Sequence, residues 1–433
     1  MPGSPRLEPD PAAPGVGDEE AAEWFFLRAP PYPERMAETP DIFAKQYILT
    51  AGPTPLPPRV SQVMAEPILY HRAPAFVEIY ARVLERLRLV FQTRNEVLCF
   101  AATGTGAMES AVANLVGPGD PAVVASCGKF GQRWAEICDA YGADTVHLEF
   151  EWGEKVDPAR LDQALAGLGR PPRAVFTTQS ETSTGIVNDI RALNELTKAH
   201  GSVLCVDAVS GLGAVNLPQD EWGVDVVIAG SQKSLMCPPG LGFASVSDRA
   251  MALALENPGP RYYLDWGRSA AGQKEDPPNS AFTPAVTLFR ALDVALDLLF
   301  EEGLDESFAR HALLARAARA GVEALGLERF GPDDDNANVV TVAGLPEEID
   351  GARVPKLMRD RYGVTIAGGQ GRLKGKIARI AHCGYYGAFD IVVALTALEM
   401  ALRDLGHDAE PGSGAAAAQR VFAAAGTAPT PVG

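Results

Sequence analysis

Two apolar runs in this chain end in groups that can do chemistry. Val203-Leu204-Cys205-Val206 leads into Asp207, and Val226-Val227-Ile228-Ala229-Gly230 is followed by Ser231, Gln232 and Lys233. Runs this short and this rich in valine predict buried strands. In open α/β sheets, reactive groups collect at the carboxyl ends of the strands, so Asp207 and Lys233 both fall where a site would form. Burial penalises an ammonium and favours the neutral amine, which makes a lysine placed there a nucleophile. Each residue also suits a plainer role. Lys233 fits a side chain that runs along the sheet edge into water, and Asp207 fits a cap on the turn after it.

A third segment adds to the case. Phe100-Ala101-Ala102-Thr103-Gly104-Thr105-Gly106-Ala107-Met108-Glu109 reads as a strand, a Gly/Thr turn and a helix start. Such a turn offers bare N–H groups, two hydroxyls and a helix N-terminus, which suits a phosphate. It is not a dinucleotide fingerprint, because Glu109 stands where the third glycine belongs. Residues 369–376 do not make a Walker loop either. Gln370 lies five before Gly375, and Ile377 follows Lys376 where a hydroxyl side chain is needed.

These groups need a sheet to hold them, and the patterning supplies one. Strands are predicted over 97–100, 122–126, 145–148, 174–178, 203–206, 226–229 and 243–246, with helices over 106–115, 131–141 and 190–200 among them. That is the alternation of a mostly parallel sheet covered on both faces. After Thr283 the pattern changes. A long amphipathic helix is predicted over 286–302, with Leu288, Leu292, Leu296 and Leu299 near one face. A last helix is predicted over 390–405, with Asp390 as its N-cap and Gly406 as its stop. The expected division is a flexible arm over 1–46, a large α/β domain over 47–300, a smaller α+β domain over 301–408 and a disordered tail over 409–433.

The bulk composition fits that plan. The 433 residues suffice for two cores, and the formal net charge of −17 disfavours nucleic acid and anionic membrane as partners. The six cysteines form no C-x-x-C pair, so no metal site is expected, and they read as small buried hydrophobes in a reducing compartment. The first residues lack the apolar core of a signal peptide, and no apolar run approaches the ~20 residues of a membrane span. A cytoplasmic protein is expected.

The motifs, taken in order, carry a resemblance. T-G-T-G-A-x-E at Thr103, G-Q-R at Gly131, E-T-S-T-G at Glu181, V-D-A-V-S at Val206, G-S-Q-K at Gly230 and A-R-I at Ala378 resemble the class V aminotransferases. The likeness is greatest to the alanine–glyoxylate, serine–glyoxylate and serine–pyruvate group, and it runs from Tyr47 to Gly406. It implies the pyridoxal 5′-phosphate (PLP)-dependent transferase fold of type I, as a homodimer with active sites at the subunit interface. It also implies a role for each site residue. Lys233 would hold PLP as a Schiff base and later move the Cα proton. Asp207 would keep the pyridine nitrogen protonated, so that the ring acts as an electron sink. Phe130, where the alanine–glyoxylate pattern has Trp, would stack on one face of the ring and Val209 on the other. Thr182 would bond the ring hydroxyl. Thr103, Gly104, Thr105 and Gln232 would hold the phosphate, with Thr283 reaching it from the other subunit. Arg379 would take the substrate carboxylate. Gly52 would face the substrate from the opening loop Leu49-Thr50-Ala51-Gly52-Pro53-Thr54-Pro55. His71, Arg72, His382, Cys383 and Tyr385 would lie nearby. Thr105 replaces a His and Ser280 a Tyr of the human-type pattern, which shifts the phosphate's anchoring toward Thr283.

The activity so implied is ping-pong transamination. Alanine, serine or aspartate would be the donor, and glyoxylate or pyruvate the acceptor. Two other chemistries of the same scaffold stand beside it. Aminophosphonate transamination would use a second basic group such as Arg72 or Lys376, and cysteine desulfuration would need Cys383 as a mobile nucleophile.

Overall fold

The computed structural model describes residues 45–332 and 339–426. The arm expected over 1–46 lies outside the described residues except at its last two. A seven-stranded sheet occupies the centre. In chain order its strands are β1 (Glu96–Phe100), β2 (Pro121–Ser126), β3 (Asp144–Glu149), β4 (Ala174–Thr178), β5 (Val203–Asp207), β6 (Val226–Gly230) and β7 (Gly242–Val246). Their spatial order is β1-β7-β6-β5-β4-β2-β3. Only β7 runs against its neighbours, β1 and β6. The remaining pairs are parallel.

Both faces of this sheet are buried, which is why its strands read as unbroken apolar runs. Val123, Val175, Leu204, Val206 and Val227 point into one core layer. Their alternates Ala122, Val124, Phe176, Cys205 and Ile228 point into the other. The first layer is closed by helices α1 (Pro74–Phe91) and α4 (Val286–Glu302), which pack on each other. The second is closed by α2 (Gly104–Leu115) and α3 (Lys129–Ala140), with Trp134 fully buried against Phe176. All six cysteines are free thiols, and all but Cys99 are buried.

A separate core follows α4. Strands β8 (Val340–Gly344), β9 (Ala367–Gly368) and β10 (Ile377–Ala381) form an antiparallel sheet in the order β8-β10-β9. Helices α5 (Leu304–Ala324), α6 (Ala388–Asp404) and α7 (Ser413–Ala424) pack around it. Among the described residues, no helix is long and apolar enough to cross a membrane.

Three details differ from the sequence reading. Residues 47–51 join this second core: Tyr47–Ile48 pairs in parallel with Val364–Thr365, and Leu49 and Ala51 are buried in it. A tail was expected over 409–433, yet Ser413–Ala424 is helix, with Ala418 and Phe422 packed into the second core. Its alanine run has high helix propensity, and contact with α5 supplies the burial that a lone helix of this length lacks. Asp390 is not the N-cap of α6. It sits one turn in, and its carboxylate accepts the Gly387 N–H at 2.7 Å. It meets the helix's orphan donors from inside the first turn.

Candidate active site

The carboxyl ends of β5 and β6 deliver Asp207 and Lys233 into one cleft. The cleft is also lined by Thr103, Gly104, Thr105, Phe130, Val209 and Gln232. Helix α2 points its N-terminus at it. Thr103 caps that helix, its hydroxyl accepting the Gly106 N–H at 3.4 Å. Gly104 is needed because a Cβ there would come within 2.7 Å of Val209 Cγ2.

Lys233 is buried, and its ammonium donates to the carbonyl of Ala51. Gly52 closes over it at φ +124°, where a Cβ would collide with the end of the lysine. Burial pulls the amine's pKa below the ordinary lysine range, and the Arg379 and Arg133 guanidinium groups pull the same way. Asp207 is pushed up to about 7 by burial, although the Val209 N–H bonds its carboxylate at 2.8 Å. A carboxylate in that condition lacks a cation, and a protonated ring nitrogen would supply one.

Glu181 organises the side of the cleft that carries Phe130. It is fully buried, and its carboxylate accepts the N–H groups of Phe130 at 2.9 Å and Gly131 at 2.8 Å. It thereby caps α3 with a negative charge, as the helix dipole favours. Ser183 bonds the other carboxylate oxygen at 2.5 Å and accepts the Lys129 N–H at 2.9 Å. Gly128 is required there, since a Cβ would crowd Glu181 and Ser183. Desolvation raises the Glu181 pKa.

Arg379 lies on β10 and is buried. Its Nε donates to Gly368 O at 2.9 Å and its Nη1 to Thr182 O at 2.7 Å. No carboxylate of the described residues pairs with it. Burial pulls its pKa down. On the opposite side, α5 holds the 384–386 turn beside Lys233. Arg310 donates to Gly384 O at 2.9 Å and Tyr386 O at 3.1 Å, and His311 accepts the Gly384 N–H at 2.9 Å.

Not every expected residue joins the cleft. Ser180 lines it where Thr182 was expected, and Thr182 offers its carbonyl to Arg379. Thr283 lines two other crevices, one with Ser280 and Tyr263 and one with His71. His382 is fully buried and bonds Thr341 Oγ1 at 2.9 Å. Cys383 is sealed in a small apolar cluster with Ala214 and Val339, and burial pushes its thiol up to about 11. The sequence reading passed over Arg133, which also lines the cleft. The signal was present, because it lies three residues after Phe130 on a helix and so shares its face.

These residues fit PLP. The cleft offers a nucleophilic amine, a carboxylate in need of a cation, an apolar surface on either side at Phe130 and Val209, and a helix N-terminus for an anion. Gln232 Oε1 is buried in it without a partner. Among the described residues, no group of three or more His, Cys, Asp or Glu could hold a metal ion.

Comparison with known proteins agrees with the fold. The chain is 43% identical to a protein named soluble hydrogenase, small subunit, from Synechococcus, over 88% of this chain and 99% of that one. It is 36% identical to the serine–glyoxylate aminotransferase of Methylorubrum extorquens, over 86% and 95% respectively. Among solved structures it resembles ureidoglycine–glyoxylate aminotransferase from Bacillus subtilis, with a TM-score of 0.83, 32% identity, and 88% and 98% of the two chains covered. The family model for class V aminotransferases matches residues 46–379. The chain belongs to that family, an amino-group transferase of the PLP-dependent fold with pyridoxal 5′-phosphate as its cofactor.

Proposed function

We propose that this enzyme moves an amino group from a small amino acid (alanine, serine or aspartate) to a 2-oxo acid such as glyoxylate or pyruvate, in two half-reactions at Lys233. The observation that carries the reading is the pairing of a buried, pKa-depressed Lys233 with Asp207 at adjacent strand ends.

Bound PLP supplies an electron sink for the bond that breaks at the substrate's Cα. The protein's residues do the rest. The neutral amine of Lys233 is the nucleophile that attaches the cofactor. The same amine would carry the Cα proton of the donor, and burial lowers its pKa from the ordinary lysine range. Asp207 would pair with the ring nitrogen and hold a proton on it. Thr103, Gly104, Thr105 and Gln232 would hold the phosphate, and Phe130 and Val209 would flank the ring. Arg379 takes the substrate carboxylate in a fork of two N–H groups, with Gly52 beside it.

The enzyme acts as a cytoplasmic homodimer. Thr283 would belong to the partner's phosphate site, a reading that suits its place in crevices other than that of Lys233. Cysteine desulfuration is disfavoured, because Cys383 is packed and its thiol is held protonated.

The experiment is an absorbance spectrum before and after adding L-alanine, L-serine or L-aspartate. A visible band that one donor bleaches is expected, and it names the donor. No visible band after incubation with PLP would overturn the reading.

A further inference from the structure

We infer that Arg133 takes the phosphate of the cofactor and is the cation that balances it. This rests on the cofactor reading above and adds a residue to it. Helix α3 carries Arg133 one turn beyond Phe130, with its guanidinium carbon 5.0 Å from the centre of the Phe130 ring. From there Nη1 donates to Thr105 Oγ1 at 3.1 Å. Thr105 is the second residue of α2, where the N–H groups of Gly104 and Thr105 precede the first intrahelical acceptor. The guanidinium thus stands beside the unfilled donors of a twelve-residue helix.

Two further observations point the same way. Among the described residues no carboxylate pairs with Arg133, and no protein acceptor meets its Nε or Nη2. Its neighbours on α3 are engaged: Lys129 pairs with Glu136 at 2.7 Å and Gln132 bonds Glu149 at 2.8 Å. The cleft around it is poor in positive charge. Glu181 and Asp207 are both buried nearby in a chain of net charge −17. Burial pulls Lys233 toward its neutral form, so it adds little positive charge there. A phosphate dianion seated on α2 by neutral groups alone would meet an unfavourable local field. Arg133 reverses that field, and its planar fork matches two phosphate oxygens.

The test is equilibrium binding to the cofactor-free protein, read by absorbance and tryptophan fluorescence, with PLP and with pyridoxal, which lacks the phosphate. Arg133→Gln is expected to weaken PLP by roughly 10- to 100-fold, the scale of a lost charged hydrogen bond. Pyridoxal should change by less than about 3-fold, the scale of lost packing alone. If Arg133→Gln does not fold by circular dichroism, Arg133→Lys replaces it. It keeps the charge but not the fork, so a smaller loss confined to PLP is expected. Equal losses for both ligands, or none, would overturn the assignment to phosphate. So would unchanged PLP binding combined with a selective fall in kcat/KM for aspartate relative to alanine, which would give the guanidinium to a substrate carboxylate. Wild-type protein that binds neither ligand would overturn the cofactor reading itself.

Discussion

Asp207→Asn in the cofactor-free enzyme offers a direct test of how the site stores charge. The substitution keeps the shape of the side chain, and Asn Oδ1 can still accept the Val209 N–H that Asp207 accepts at 2.8 Å. What changes is the proton. Burial holds the folded carboxyl at about 7, whereas an unfolded chain releases that proton near pH 4. Between those values the folded state binds more protons than the unfolded one, so stability falls as pH rises. A gap of about three pKa units corresponds to about 4 kcal/mol in total, with roughly 2 kcal/mol of it between pH 5 and pH 7. Urea denaturation of both proteins at several pH values reads this directly. The wild type should lose stability relative to Asp207→Asn across that interval, and the difference should level off above pH 8. Parallel curves for the two proteins would refute the assignment of a raised pKa to Asp207.

Other expectations follow from the same geometry. Gly52→Ala places a Cβ against the end of Lys233 at a backbone angle that alanine rarely adopts, so the visible absorbance of the PLP-treated protein should be lost while the fold survives by circular dichroism. Arg379→Gln removes the fork proposed for the substrate carboxylate, and KM for donor and acceptor should each rise by roughly 10- to 100-fold with little change in PLP affinity. Cys383→Ala deletes a thiol that burial holds protonated, so transamination should change by less than about 3-fold, and a complete loss of activity would revive the desulfuration reading.

Much of the fold could be read from the chain because the sheet is buried on both faces. All seven strands of the large sheet appear as short apolar runs rich in β-branched residues, and every one forms within a residue or two of its expected bounds. Helix α4 likewise matches its predicted leucine stripe. What escaped depends on contacts distant in sequence. Nothing in Tyr47–Ile48 reveals that its partner is Val364–Thr365, more than 300 residues on. The helix Ser413–Ala424 was hidden by the glycine and proline before it, and contact with α5 stabilises it. In the site, Asp207 and Lys233 were legible because strand ends are fixed by local pattern. Arg133 was legible only in part: its spacing from Phe130 puts both on one face of α3, but the approach of α3 to the start of α2 is a long-range contact. Thr283 lines other crevices than the cleft of Lys233, and nothing in the local pattern around Thr283-Pro284 says so.

The short segment Glu181–Ser183 has a further consequence for engineering. Its first residue fastens the helix that presents Phe130, and its middle residue lends a carbonyl to Arg379. The surface proposed for the cofactor and the clamp proposed for the substrate therefore hang from one three-residue hinge pin. A change that re-aims Arg379 toward a bulkier acid would pull on Thr182 and, through Glu181, tilt the bed on which the cofactor lies. Donor preference in this scaffold should be easier to retune at the rim of the cleft than at the arginine, because the rim can vary without disturbing that pin.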